Sequence, residues 1–551
     1  MRLSKLKENI FFKITGIFLI CAFVFSFVLP KEAFATRSNA GGGDTTTWSW
    51  EDFALTVCFS LAGTVIGGAI SSYLGGSGGS TFYTELAKNI DYNHLANGYT
   101  TYVASSQVGG AVNAAGNYYN WDRNATYIAS LAAAAATAGA LNPTQALGKG
   151  TESATSDIVN MFEPIGYSST VAAETATASS QAFNMLKGAG VGAIGGAAGA
   201  AVHTLIDPDA LKEGRSFSAL AQIAGLFAET YATSLARATF DSATYKDKTY
   251  AQIAEKIFVE APLTSKGGMI RQWPIHATSA LQILAVQSLG ENNAHLAMLV
   301  RGVIGAVAQP VFTKLELIFK PGEKLSLIIT TKSQLEYKSS IGPWPDKQKT
   351  AELTLAQQIG SQLIQALVSG GLYAVIDHNI DLKTNPAGYT LASMLVNTGA
   401  TVARGVAARA EAEEFRAKGK LKSEEDVNKF VTDSIAKSTS DYIKRAFSFG
   451  LPDGVSGPAG EVVSSDNWVI YMNRLRYLSN LTSNYGFTAA LAYQAGGAYI
   501  GATTDSLMYS MNQIPQVASL LGTKKEPYSP EEALRQAPSL PLEELKQLAP
   551  K

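Results

Sequence analysis

Glycine recurs at every fourth position through Gly188, Gly192 and Gly196, inside the run GAGVGAIGGAAGAA, and this row constrains the fold more than any other feature of the chain. A glycine inside a helix costs about 1 kcal/mol relative to alanine, so such a concentration needs a packing reason. Spacing of four places the row on one helix face and leaves that face without side chains. A second helix can then approach closely and gain dispersion contact along its length. Gly63 with Gly67 and Gly497 with Gly501 form shorter versions. With 50 glycines in 551 residues, close packing inside a folded core is the preferred meaning.

The flanking sequence fits that meaning. Residues 124–140 and 170–205 are dominated by alanine, as closely packed helices are. Leu220, Ile223, Phe227, Tyr231, Leu235 and Ala238 recur at spacings of three and four, which predicts a helix over 217–238 with that stripe facing a core. Similar periods run through 276–308, 353–376 and 390–417, separated by the turn signals GEN, DLKTNPAG and AKGK. Ser423 with Asp426 reads as a capping box opening a helix whose buried stripe is Val427, Phe430, Val431, Ile435, Tyr442 and Ile443. Residues 92–121 are uncharged and polar with no sustained period, and dictate no element. Around Pro321-Gly322, two β-rich runs, VFTKLELIF and LSLIITT, predict a hairpin, with SQLEYKS as a candidate third strand. The expected fold is therefore mainly α: a multi-helix antiparallel array with Gly/Ala-rich packing faces and a small β-hairpin insertion near 311–338. A recurring Leu-Ala-x-x-x-Gly pattern, ending at Gly225, Gly360 and Gly496, is too short to establish a repeat in so Gly-rich a chain.

The amino terminus carries basic Arg2, Lys5, Lys7 and Lys13, an apolar run from Ile14 to Leu29, and a small-residue site at Ala33 and Ala35. That order is a secretory signal with cleavage before Thr36. Removing it leaves Cys58 alone, so no disulfide within the chain can contribute and stability must come from burial. The domain reading is 1–35 signal peptide, 36–52 flexible leader, 53–248 Gly/Ala-rich low-charge helical region, 249–450 helical region bearing the hairpin, 451–515 C-terminal helical pair and 516–551 Pro-rich charged tail. The tail holds too few apolar residues for a core and could be ordered by a partner. Phe53 to Leu74 is uncharged and about as long as a bilayer span, and it reads equally as a segment in contact with a membrane or as a buried core helix.

Chemistry is harder to find. Gly190 to Gly195 spells GxGxxG, yet no strand precedes it and no βαβ alternation surrounds it, so a dinucleotide site is not expected. Gly75 to Gly79 spells GxSxG without the strand and helix that a nucleophile elbow needs. Asp377 to Asp381 begins like a calcium loop, but Leu382 and Gly388 stand where Gly and Glu belong, and a helix terminus is preferred. His203 with Asp207, one turn apart, and His378 beside two aspartates are given no role. No cofactor, metal or catalytic residue is assigned. The net charge of −1 gives no attraction to nucleic acid.

The glycine rows resemble, over their short extent only, the glycine zippers of membrane-active proteins, and that resemblance implies helices able to insert and pair in lipid. Export, only 16 % charged residues against about 25 % in an average soluble protein, and the missing motifs together favour a non-enzymatic structural or interaction protein. Its expected place is the periplasm, the cell surface or the medium, with self-association through small-residue faces and membrane contact through 53–74. The alternatives are a membrane-active or pore-forming protein, and a secreted hydrolase whose site is assembled from residues distant in sequence.

Overall fold

The computed structural model describes residues 54–60, 68–70, 79–90, 92–148, 178–264, 268–313, 315–318, 326–329, 336–337, 349–350, 355–449, 451 and 465–520. The signal with Ala33 and Ala35, the leader, the pair Gly63 and Gly67, and the tail beyond residue 520 lie outside these residues. So do most of GxSxG and most of 311–338.

The protein is mainly helical. Its principal helices are α1 (Gly79–Asn89), α2 (Tyr92–Tyr118), α3 (Arg123–Leu141), α4 (Ala178–Ile206), α5 (Ala219–Phe240), α6 (Met269–Ser288), α7 (Ala297–Thr313), α8 (Leu355–Asn379), α9 (Pro386–Ala417), α10 (Glu424–Phe447), α11 (Ser465–Tyr485) and α12 (Phe487–Asn512). Between α7 and α8, the four-residue strands β1 (Leu315–Ile318) and β2 (Ser326–Ile329) pair antiparallel, Leu315 opposite Ile329. A two-residue pair, Glu336–Tyr337 with Lys349–Thr350, follows.

Local chemistry explains several boundaries. Asp122 caps α3 by accepting from the backbone of Asn124 and Ala125 at 2.9 and 3.1 Å. Ser423 and Asp426 close a reciprocal capping box on α10, and all six residues of its expected stripe are buried. Gly419, at φ +70°, ends the α9 turn in the left-handed region that glycine tolerates best.

From α2 to α8 each helix packs against the next in the set, and side-chain pairings fix the directions. Gly116 meets Thr126 and Gly109 meets Ala134, Gly192 meets Ala135 and Gly188 meets Gly139, and Gly302 meets Ala366 while Gly370 meets Leu299, so these neighbours run antiparallel. The array does not stay antiparallel. Tyr389 lies on Gly496, Asn397 on Thr503 and Glu411 on Tyr509, which makes α9 and α12 parallel. The long connection through α10 and α11 allows this, since only directly linked neighbours need reverse. Helix α12 is the axis of the C-terminal half: nineteen of its residues are buried, and it takes part in all three apolar clusters.

One segment that the sequence left without an element is a helix, and one expected helix face needs correction. Residues 92–118 form one continuous helix although no apolar period marks it. Its small and polar side chains serve a close contact with α3, where Ser130 donates to the Gly109 carbonyl at 2.8 Å. Helix α5 divides its apolar stripe: Ala238 is buried and Phe227 lies 4.9 Å from the His276 ring, but the amino-terminal end of the stripe turns outward. Leu220 is 67 % exposed, whereas Ala221, Gly225, Glu229, Thr230, Thr233 and Ser234 are buried. The cause lies in α4, which presents Gly195 and Gly199 to α5 and comes too close for large side chains.

Candidate functional site

Three helical stretches among the described residues are long and apolar enough to cross a membrane: Ala182–Ile206, Asn293–Phe312 and Leu355–Asn379. They differ in how well the chain covers them. In the first, 44 % of the residues of the apolar window are buried, but in the second, mostly α7, 11 % are, and in the third, in α8, 28 %. A helix apolar on most sides is ordinarily interior. Here α7 and α8 pack on each other through Gly302 against Ala366 and Gly370 against Leu299, and leave their outer sides open. Leu281 and Leu284 of α6, Val307 and Val311 of α7, and Leu367 and Val375 of α8 are all exposed. Of the run 53–74, residues 54–60 are helical with Thr56 and Ser60 buried, and the Phe59 carbonyl accepts from the Tyr499 hydroxyl at 3.0 Å.

At the edge of this surface, α8 and α9 part to leave an apolar groove floored by Thr503 and Leu507 of α12. Gly371 and Gly399 line it, and a methyl group built on either would meet nothing within 4 Å. The Thr503 hydroxyl donates to the Tyr499 carbonyl at 2.9 Å, so it is not offered to the groove.

The other glycine positions singled out from the sequence have different surroundings. Gly188, Gly192 and Gly196 face α3, meeting the backbone of Gly139, Ala135 and Leu131. Gly195 and Gly199, on a second face, clear room for Thr233 and for an ion pair between Glu229 and Arg476. Gly497 faces the Tyr373 hydroxyl and Gly501 faces the Arg445 guanidinium, so these two admit side chains and not a helix backbone. GxGxxG lies within unbroken α4, with no strand before it among the described residues.

The titratable groups form separate clusters. Glu229 and Arg476 are buried together, and burial pushes the Glu229 carboxyl up against the opposing pull of the guanidinium. Arg404 is buried over the Tyr509 ring, 4.8 Å from its centroid, with Glu411 accepting from the Tyr509 hydroxyl; burial pushes Arg404 down and Tyr509 up. His203 and Asp207 do not pair. The imidazole Nδ1 lies 3.4 Å from the Tyr127 hydroxyl, while Asp207 takes a bidentate bond from Arg215 at 2.7 and 2.8 Å and another from the Ser218 backbone at 2.8 Å. Those bonds, led by Arg215, hold its carboxyl down to about 2. His378 lies against His295 with the rings tilted by 53° and centroids 4.8 Å apart, and Asp381 accepts from the Lys383 backbone at 2.9 Å as part of the turn after α8. Among the described residues no three His, Cys, Asp or Glu side chains converge to hold a metal ion.

The sequence reading missed the surface on α6 to α8, although the apolar periods in 276–308 and 353–376 carried its signal. Periodicity reports that a face is apolar, not what covers it. No family model, curated protein or solved structure matches the chain.

Proposed function

We propose that this is an exported, non-enzymatic envelope or secreted protein: a helical scaffold, with helices packed through small-residue faces and a β-hairpin between two apolar helices, that seats α6 to α8 against a lipid bilayer. One observation carries the reading. Only 11 % of the residues in the apolar window of α7 are fully buried by the chain, and Val307 and Val311 stand exposed to water, a poor solvent for them. Full insertion of α7 alone is not favoured. Seven residues, Leu299, Val300, Val303, Ile304, Val307, Val311 and Phe312, supply roughly 2–4 kcal/mol, and Arg301 near the middle costs about 2.5–3.5 kcal/mol. The balance near zero supports a face lying at the interface, with the Arg301 head reaching water.

Cell fractionation tests this. Carbonate should leave the protein in the membrane fraction and detergent should release it; release by salt or carbonate alone would sink the proposal. Dye leakage from liposomes would support the pore-forming alternative.

A second reading is favoured by the open glycines. The rows on α4 are occupied within the chain, but Gly371 and Gly399 are not, so a helix of a second copy could use the groove between α8 and α9. It predicts a dimer in detergent that Gly399→Leu abolishes; a monomer at all concentrations would exclude it.

A further inference from the structure

The turn between α2 and α3 holds three aromatic rings in water: Tyr118 is 80 % exposed, Tyr119 66 % and Trp121 48 %. It is not a floppy loop. Asn120 adopts φ +54°, the Trp121 backbone N–H donates to the Gly116 carbonyl at 2.8 Å, and the Asn120 N–H donates to Asn117 at 3.4 Å. This is the closing pattern of a helix terminus, followed at once by the Asp122 cap of α3. The rings also fix one another, Tyr118 edge-on to Tyr119 at 5.0 Å and Tyr119 stacked with Trp121 at 6.4 Å. Large rings ordered in water without a partner lose the burial that normally offsets their ordering.

The connection to which this turn is tied carries further exposed apolar residues. Arg123 donates to the carbonyls of Leu211 and Lys212, and Asn124 to that of Pro208, which ties this turn to the connection between α4 and α5. Leu205, 80 % exposed, and Leu220, 67 % exposed, flank that connection. Its charges nearly cancel: Arg215 binds Asp207 and Glu213, and Lys212 binds Asp209.

We propose that Tyr118, Tyr119 and Trp121, with Leu205 and Leu220 beside them, form an interfacial anchor that enters the headgroup region of a zwitterionic phospholipid bilayer. Rings with an apolar body and a polar tip suit that boundary, the leucines suit the acyl region beneath it, and the balanced charge gives no preference for anionic lipid. The anchor deepens the bilayer reading of α6 to α8, but it rests on separate residues and can be tested separately.

The test uses full-length mature protein and phosphatidylcholine vesicles. Tyr118→Ser/Tyr119→Ser/Trp121→Ser should weaken vesicle partition by about tenfold or more, equivalent to about 1.4 kcal/mol. Adding anionic lipid should change wild-type partition little. The fluorescence lost in Trp121→Phe should be quenched by a headgroup-level quencher. If wild type binds vesicles but the Trp121 component is not quenched, the anchor is overturned and the α6 to α8 reading stands. If the triple variant loses binding while Leu367→Ser/Val375→Ser keeps it, the anchor stands and the other reading falls. Absence of any vesicle binding, or retention on insoluble peptidoglycan that the triple variant loses, overturns the anchor.

Discussion

Replacing Gly192 by alanine adds one methyl group between α4 and α3, and the structure sets both the sign and the size of the effect. At a neutral helical site the change stabilises by about 1 kcal/mol. Here the new carbon would meet the Ala135 carbonyl oxygen and lie 2.7 Å from its carbon, with the Ala136 nitrogen at 3.3 Å. Ordinary contact begins near 3.4 Å and the carbonyl oxygen lies closer than its carbon, so more than about 0.7 Å must open between two helix backbones. Neither can yield by rotating a side chain. The close approach of Gly188 to Gly139 and of Gly196 to Ala135 loosens with it, and a gap of that size forfeits about a quarter to a half of each contact's attraction. Overpacking of this kind costs about 1–3 kcal/mol, and a rigid backbone contact places this site at the upper end, which leaves a net loss of about 2 kcal/mol after the helical gain of about 1 kcal/mol. Gly399→Ala is the matched control: its methyl meets nothing within 4 Å and should stabilise by roughly 0.5–1 kcal/mol. Guanidinium denaturation in detergent, read from the midpoint at unchanged slope, measures both. Equal stabilities for the two variants would refute the reasoning, since only the facing backbone distinguishes them.

Three further outcomes follow from the same structure. Arg476→Ala leaves Glu229 buried without its partner and should cost about 3–5 kcal/mol, most of it regained in Glu229→Leu/Arg476→Leu; thermal unfolding compares them. Asp207, whose carboxyl is held down to about 2, contributes stability present above the ordinary aspartate range near pH 4 and lost as pH falls through 2. Acid titration of Asp207→Asn should therefore show a shallower loss between about pH 4 and 2, and an unchanged profile would count against the Arg215 and Ser218 bonds. Ser423→Ala removes the α10 cap and should lower the denaturation midpoint by an amount equal to about 1 kcal/mol, with protection lost first at the backbone amide of Asp426.

What the sequence determined by itself was local. The Ser423 capping box and the stripe of α10 were legible because both depend on residues within a turn or two of each other, and their partner surface in α1, α9 and α12 has room for large side chains. The Gly188, Gly192 and Gly196 row was legible as a bare helix face for the same reason. Tertiary structure decided what each face meets. On α5 the small and polar residues go inward and Leu220 outward, because a glycine surface draws its neighbour too close for leucine. On α2 the same closeness makes a helix of residues with no apolar period. The parallel run of α9 and α12, and the tying of the Trp121 turn to the α4 to α5 connection, depend on contacts about a hundred residues apart. Periodicity carries the character of a surface; its partner is set by the path of the chain through space.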